Sequence, residues 1–514
     1  MTGAELLVRT LLGSGVNTCF TNPGTSEMHF VAALDRVDGM RCVLALFEGV
    51  AAGAADGYAR MLDRPASTLL HLGPGLANAT ASLHNAHRAL SPIVNIVGDH
   101  AMAHRRLDPP LNADIETLAS VYSSWIATIG SPDRTGAEAA MAVAESRRPP
   151  GCISTLVLPA DCAWTDTDAP VAPPLVAAAR TKVDDRRVHA AADGLRRGRA
   201  ALILNGPLLR EEPLELCGRI AAATGAELLA PTQVPRVQRG AGRVFVDRIP
   251  YVIDAALKRL QHIERAVLVN ARQPVAFFAY PNKPGLLLPP GCEVTTLATP
   301  EEDGVDAVER LAEVLAAKKA EPTCEVYAPP DRPSGPITLP GIAAVIARAI
   351  PDGGIVIDES ITSGRALMPT TRTSRPHDWL TNPGGSIGTG LPLAIGAAVA
   401  CPDKKVICLE SDGSGMYTVQ GLWTMARERL NVVTVLFNNR SYEILKGEFN
   451  YVGAGVAGAK ATDMLEIGRP DLNWVALANA QGVAAARVNS LDALASELES
   501  AMAEHLPRLI EVMI

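Results

Sequence analysis

An aspartate and an asparagine stand where two apolar runs stop. Val406–Leu409 leads into Ser411-Asp412-Gly413-Ser414, and Val432–Phe437 leads into Asn438-Asn439-Arg440-Ser441, so Asp412 and Asn439 are 27 positions apart. If the runs are neighbouring parallel strands joined by a helix over Met416–Arg429, a carboxylate and an amide oxygen meet at one sheet edge. That edge is where ligands of open α/β sheets gather. The pair suits a hard cation such as Mg2+, which keeps water or phosphate oxygens as its other ligands. Ser441 can add its main-chain carbonyl. Tyr442-Glu443-Ile444 then begins a helix whose free N–H groups suit a phosphate, and Gly413 and Ser414 offer further donors. A strand-end Asp and an Asn-Asn turn are each common alone. Their combination at this spacing points to a metal.

A second acid sits in an unusual setting. Val43-Leu-Ala-Leu-Phe47 ends in Glu48, ahead of the small-residue helical stretch Val50–Tyr58. A carboxyl group in so apolar a place can be held there by a helix N-terminus. It can also work as an acid or base, because burial raises its pKa.

These residues need sheets to hold them. Short apolar runs such as Ser67–Leu70, Ile93–Val97, Ser154–Leu158, Ala201–Leu204 and Ile355–Ile357 alternate with helical patterns along the chain. That alternation predicts an α/β protein with parallel sheets flanked by helices. Asp166–Thr181 and the proline-rich Lys318–Leu339 read as linkers. They divide the 514 residues into three domains, 1–165, 182–320 and 340–514.

Composition narrows the function classes. A net charge of −8 without a long basic run argues against a nucleic-acid partner. No uninterrupted apolar run is long enough for a membrane span, and the N-terminus lacks the pattern of a signal peptide. The nine cysteines are odd in number and form no CxxC pair, which predicts free thiols and a cytoplasmic location.

The spacing of the acidic Gly motif and the paired asparagines resembles the thiamine diphosphate signature. Ser411 replaces the Gly that usually precedes the Asp. Asn22-Pro-Gly-Thr-Ser-Glu27, Glu48, Ala55–Arg60 and Gly73-Pro-Gly75 follow the same pattern in order. The resemblance covers essentially the whole chain and is nearest to the acetolactate synthase and benzoylformate decarboxylase group. It implies pyrimidine-binding, central and diphosphate-binding domains, in that order. It makes Glu48 the acid that activates the cofactor's aminopyrimidine. It also implies a homodimer at minimum, with a homotetramer usual, and an active site shared between the first domain of one subunit and the third of another.

Further roles follow from the resemblance. Asn382–Pro392 looks like the loop that bends the cofactor, with the Gly385 carbonyl as an acceptor and Ile387 as the apolar wedge. Ile361 and Thr362 lie in the turn expected at the diphosphate. His71 matches a proton-transferring His of benzoylformate decarboxylases, and Thr25 matches a carboxylate-binding Ser. The second His of that pattern is replaced by Tyr280, and Glu448 stands where acetolactate synthases carry a pocket Trp. Leu111 and Leu445 are expected to line the pocket. The turns Leu204–Pro207 and Leu268–Arg272 are too weak a signal to favour FAD.

The expected activity is thiamine diphosphate- and Mg2+-dependent decarboxylation of a small 2-oxo acid. The product is then either protonated to an aldehyde or joined to a second carbonyl. Acetolactate synthesis by a large-subunit-like enzyme is one alternative, and a thiamine diphosphate-binding protein without turnover is another.

Overall fold

The computed structural model describes residues 1–514 and contains three helix-flanked sheets. The first is fully parallel, in the order Arg41–Leu44, Thr18–Asn22, Ala66–Leu70, Ile93–Asp99, Ile153–Pro159, Ser123–Thr128. The second, of five strands, lies within residues 200–298. The third runs Ala484–Val488, Arg508–Met513, Val432–Asn438, Val406–Ser411, Gly354–Glu359, His377–Leu380, Val237–Arg239. Its last member comes from the middle of the chain and is antiparallel to His377–Leu380, so one strand of the central segment completes the third sheet. No helix is long and apolar enough to cross a membrane.

The expected apolar runs are strands because they are buried on both faces, as parallel sheets require. The first and third sheets each reverse strand order beside their first strand, Thr18–Asn22 and Gly354–Glu359. Ligands bind outside the carboxyl ends of strands at such reversals. Asn22–Thr25 and His71 lie at one of them, and Glu359–Ile361 and Asp412 lie at the other.

The connection after Asp412 differs from the continuous helix expected over Met416–Arg429. It is a single helical turn at Asp412–Gly415, a 3-10 turn at Met416–Thr418 and a short helix at Gly421–Arg427. Gly415 and Gly421 flank the break, where glycine lowers the cost of leaving a regular helix.

The first and third sheets are joined by two small-residue helices, Glu48–Leu62 and Gly390–Ala400. A Cβ on Gly396 would stand 1.9 Å from the Ala54 carbonyl oxygen, and one on Gly57 would stand 2.3 Å from that of Leu393. Gly396→Ala is therefore expected to lower stability by roughly 1–3 kcal/mol, the usual cost of overpacking. Chemical denaturation of the purified variant measures it.

Candidate active site

Asp412 and Asn439 meet as the sequence predicts. Ser411 is in register with Phe437 on adjacent parallel strands, so the two turns that follow lie side by side. Asp412 is buried. Its Oδ1 accepts from the Gly413 N–H at 2.8 Å and its Oδ2 from the Arg440 N–H at 2.6 Å. Burial nevertheless pushes its carboxyl up to about 6. Asn439 Oδ1 accepts from the Ser441 N–H at 2.9 Å, which fixes its amide. The Ser441 Oγ is tied to the Leu465 carbonyl, while its own carbonyl accepts no hydrogen bond. Two side-chain oxygens and one carbonyl are thus carried on adjoining turns, without a cluster of three His, Cys, Asp or Glu side chains. Such a set leaves positions for ligand oxygens, as Mg2+ sites do.

The neighbouring residues shape this edge. A Cβ on Gly413 would lie 2.6 Å from the Tyr442 ring, so only glycine lets that ring pack here. The Ser414 Oγ turns inward to Glu410 Oε1 at 2.5 Å. Tyr442 caps the helix Glu443–Tyr451, and the main-chain N–H groups of Glu443 and Ile444 make no hydrogen bond within the chain. The Glu443 side chain pairs with Lys446.

Glu359, which opens the turn of Ile361 and Thr362, and Glu410, which no motif singles out, form a buried pair behind the edge. Glu359 Oε2 accepts from the N–H groups of Thr389 and Gly390, at 2.7 and 2.6 Å. Glu359 Oε1 and Glu410 Oε2 have no partner. Burial pushes Glu359 up to about 7, and burial together with the Glu359 charge holds Glu410 well above the usual carboxylate range. Both folded-state pKa values exceed their unfolded values, so stability is lost as pH rises from about 4.5 through about 7. Glu410→Gln is expected to flatten that loss, by on the order of 1 kcal/mol per pKa unit removed. Thermal melts at pH 5 and pH 8 measure it.

The loop expected to bend the cofactor is tightly held. Asn382 Oδ1 accepts from the N–H groups of Gly384 and Gly385, and Asn382 Nδ2 donates to the Ser386 carbonyl. From the first domain, Asn85 Nδ2 also donates to the Ser386 carbonyl, and His84 Nε2 lies 2.9 Å from that of Gly384. Gly385 and Gly388 have φ of +77° and +88°, which side-chain-bearing residues rarely adopt.

A cavity of about 740 Å3 opens in front of this loop. Ile361, Gly385, Ile387, Tyr442, Ile444 and Leu445 are among its walls, and so is Glu448. Thr362 lies one residue beyond Ile361 and is not a wall residue. Tyr280 is buried behind the wall and donates from its phenol to Glu448 Oε2 at 3.1 Å.

Thr25, Glu48, His71 and Leu111 are not among the walls. They belong to a separate cluster on the first domain. Glu48 is the first residue of its helix and is buried, and its Oε2 accepts from Asn78 Nδ2 at 3.0 Å. His71 caps the helix Leu72–Ala89, and its Nδ1 lies 2.8 Å from Oε2 of the fully buried Glu27. Ser26 Oγ bridges the pair, at 3.3 Å from His71 and 3.0 Å from Glu27. Gly75 separates the two acid-base groups. A Cβ there would lie 3.2 Å from Glu48 Oε1 and 3.4 Å from the His71 Cβ. Thr25 is exposed at the start of a 3-10 turn. Leu111 is exposed on a loop whose Ala113 packs against Gly73. Glu27 ends a motif that the sequence did flag, whereas Asn78 carries no spacing signal.

Comparison with known proteins shows the family of the chain. The family model for the thiamine pyrophosphate enzyme N-terminal TPP binding domain matches residues 1–118, and that for the C-terminal TPP binding domain matches residues 362–512. A Mycobacterium tuberculosis protein named "Putative acetolactate synthase large subunit IlvX" is 47% identical over 100% of this chain and 99% of its own length. The chain belongs to the thiamine pyrophosphate enzyme family. A benzoylformate decarboxylase of Pseudomonas aeruginosa is 27% identical over 97% of this chain and 96% of its own. A Rhodococcus jostii RHA1 thiamine diphosphate-dependent 4-hydroxybenzoylformate decarboxylase has the same fold. Its TM-score is 0.86 at 23% identity, covering 100% of this chain and 99% of that one.

The residues present fit the cofactor of this thiamine pyrophosphate enzyme. The free N–H groups of Glu443 and Ile444 and the free Ser441 carbonyl lie beside Asp412 and Asn439, at the edge that would take a diphosphate and its cation. The positive-φ turn at Gly385 and the Ile387 side chain line the cavity next to it.

Proposed function

We propose that the protein decarboxylates a small 2-oxo acid with thiamine diphosphate and Mg2+, and either protonates the product to an aldehyde or joins it to a second carbonyl. Acid-base chemistry is supported above all by one observation: Glu48 and the His71–Glu27 pair lie together across Gly75. A protein that only bound the cofactor would need neither.

When bound, thiamine diphosphate supplies the electron sink that lets carbon dioxide leave. Asp412, Asn439 and the Ser441 carbonyl would hold the Mg2+, and the N–H groups of Glu443 and Ile444 would receive the diphosphate. The Gly385 carbonyl and Ile387 would orient the cofactor rings, with Ile361 and Thr362 in the turn beside the diphosphate. Glu48, held by Asn78, would keep a proton at the pyrimidine nitrogen. His71 Nδ1 is engaged by Glu27, which leaves Nε2 free to give or take a proton. Thr25 would hold the substrate carboxylate, and Leu111 and Leu445 would bound the pocket.

Glu48 and His71 are not among the residues lining the cavity of their own chain, which supports a site completed by a second copy. A homodimer is the minimum assembly, and a homotetramer satisfies the same requirement. Carboligation is favoured over aldehyde release by the likeness to the 47% identical relative, which is named as an acetolactate synthase large subunit.

A panel of 2-oxo acids with thiamine diphosphate and Mg2+, scored for carbon dioxide, aldehyde and acyloin, tests the reading. Cofactor binding without carbon dioxide from any acid would contradict it. His71→Ala is expected to lower kcat by about 10²- to 10⁴-fold, the range of a general acid-base group. Stopped assays with the best acid of the panel measure it.

Proton competition at Asp412 gives a pH dependence. Below about pH 6 its carboxyl is protonated, so Mg2+-dependent cofactor affinity should fall by up to about tenfold per pH unit. Affinity that stays flat between pH 7 and pH 5 would argue against Asp412 as a ligand.

A further inference from the structure

The far wall of the cavity carries a charge that the proposed chemistry does not use. Glu448 lines the cavity on the same helix as Ile444 and Leu445, and no cation pairs with it. The nearest lysine in sequence, Lys446, is engaged by Glu443 and Glu466. Tyr280 donates to one Glu448 oxygen and the Tyr251 phenol also lies against Glu448, but both phenols are neutral and leave its charge without a cation. Burial and the Glu448 charge hold the Tyr280 phenol up at about 12, so it remains a donor.

Aromatic residues are 4% of this chain, yet they concentrate here. Tyr251, Phe277 and Phe278 share the cavity wall with Glu448, and Phe277 lies 5.2 Å between ring centroids from each of the other two. Phe277 also touches the loop below. A Cβ on Gly385 would lie 2.8 Å from its ring. The aromatic wall therefore begins at the Gly385 turn and shares the cavity with Glu448. Arg248 and Arg365 line the cavity as well, but Arg248 faces the charges of Asp358 and Asp247, and neither reaches Glu448.

An uncompensated carboxylate among ring faces is a receptor for an organic cation. The carboxylate supplies charge and hydrogen bonds, and the rings attract the cation through their quadrupoles. We propose that Glu448 is a specificity residue that receives an ammonium or guanidinium group at the far end of the 2-oxo acid's side chain. This rests on the 2-oxo acid reading above.

The test uses the full-length protein loaded with thiamine diphosphate and Mg2+. Carbon dioxide release is compared for 5-guanidino-2-oxopentanoate and for the neutral 2-oxohexanoate. The wild type should favour the guanidino acid in kcat/KM. Glu448→Gln, which keeps an acceptor for Tyr280, should lower that ratio roughly 10- to 100-fold, the scale of a charge-assisted hydrogen bond. Glu448→Lys should shift preference to the anionic 2-oxoadipate. A wild type that favours the neutral acid, or a ratio unchanged in Glu448→Gln, overturns the proposal. Calorimetric binding of the same two acids separates it from the decarboxylation reading. Glu448-dependent binding of the guanidino acid without turnover sinks that reading and keeps this one, and equal binding of both acids sinks this one.

Discussion

Glu48→Gln is expected to lower kcat by about 10²- to 10⁴-fold while thiamine diphosphate still binds. The substitution keeps the shape of the side chain and leaves an oxygen to accept from Asn78 Nδ2. It removes only the ability to exchange a proton. The apolar setting makes that loss severe, because Glu48 is 8% exposed and little water can take its place. The metal and diphosphate donors lie on the third domain, away from Glu48, so affinity for the cofactor should change little. Circular dichroism titration with the cofactor and single-turnover carbon dioxide release separate the two effects. Equal loss of binding and turnover would mean that Glu48 has a structural role.

Asp412→Ala should raise the dissociation constant for thiamine diphosphate with Mg2+ by more than roughly 100-fold, above the 10- to 100-fold typical of residues one step removed from a metal. Two losses combine. The cation loses its only carboxylate ligand, and the Gly413 and Arg440 N–H groups lose the acceptor that sets the turn. Asp412→Asn separates them, since it keeps an acceptor and removes the charge. Weak binding in both variants assigns the effect to the charge. Weak binding in the alanine variant alone assigns it to the turn.

Much of this was legible in the sequence. The strands that carry Asp412, Asn439 and His71 are continuous apolar runs buried on both faces, and such runs are visible without a structure. Strand Val237–Arg239 was not legible, because three residues completing a distant sheet leave no periodic pattern. The crossover after Asp412 was misread for a related reason: its helical composition conceals glycines that interrupt it. In the candidate site, the motifs are legible as residue types and spacings, whereas the residues that hold them are not. Asn78 and Asn85 act by hydrogen bonds between distant segments, and Glu359 and Glu410 meet only through strand register. Tyr280 and Glu448 were singled out separately, but their contact spans 168 positions and appears only in the fold.

The proposed chemistry needs one site built from two copies of the chain. Co-expression of Glu48→Gln and Asp412→Ala under different affinity tags, followed by tandem purification, tests this directly. Each variant alone should be inactive. A mixed dimer contains one site with both lesions and one with neither, so it should regain about half of wild-type carbon dioxide release. Mixed oligomers as inactive as either parent would contradict a shared site and place all the chemistry within a single chain.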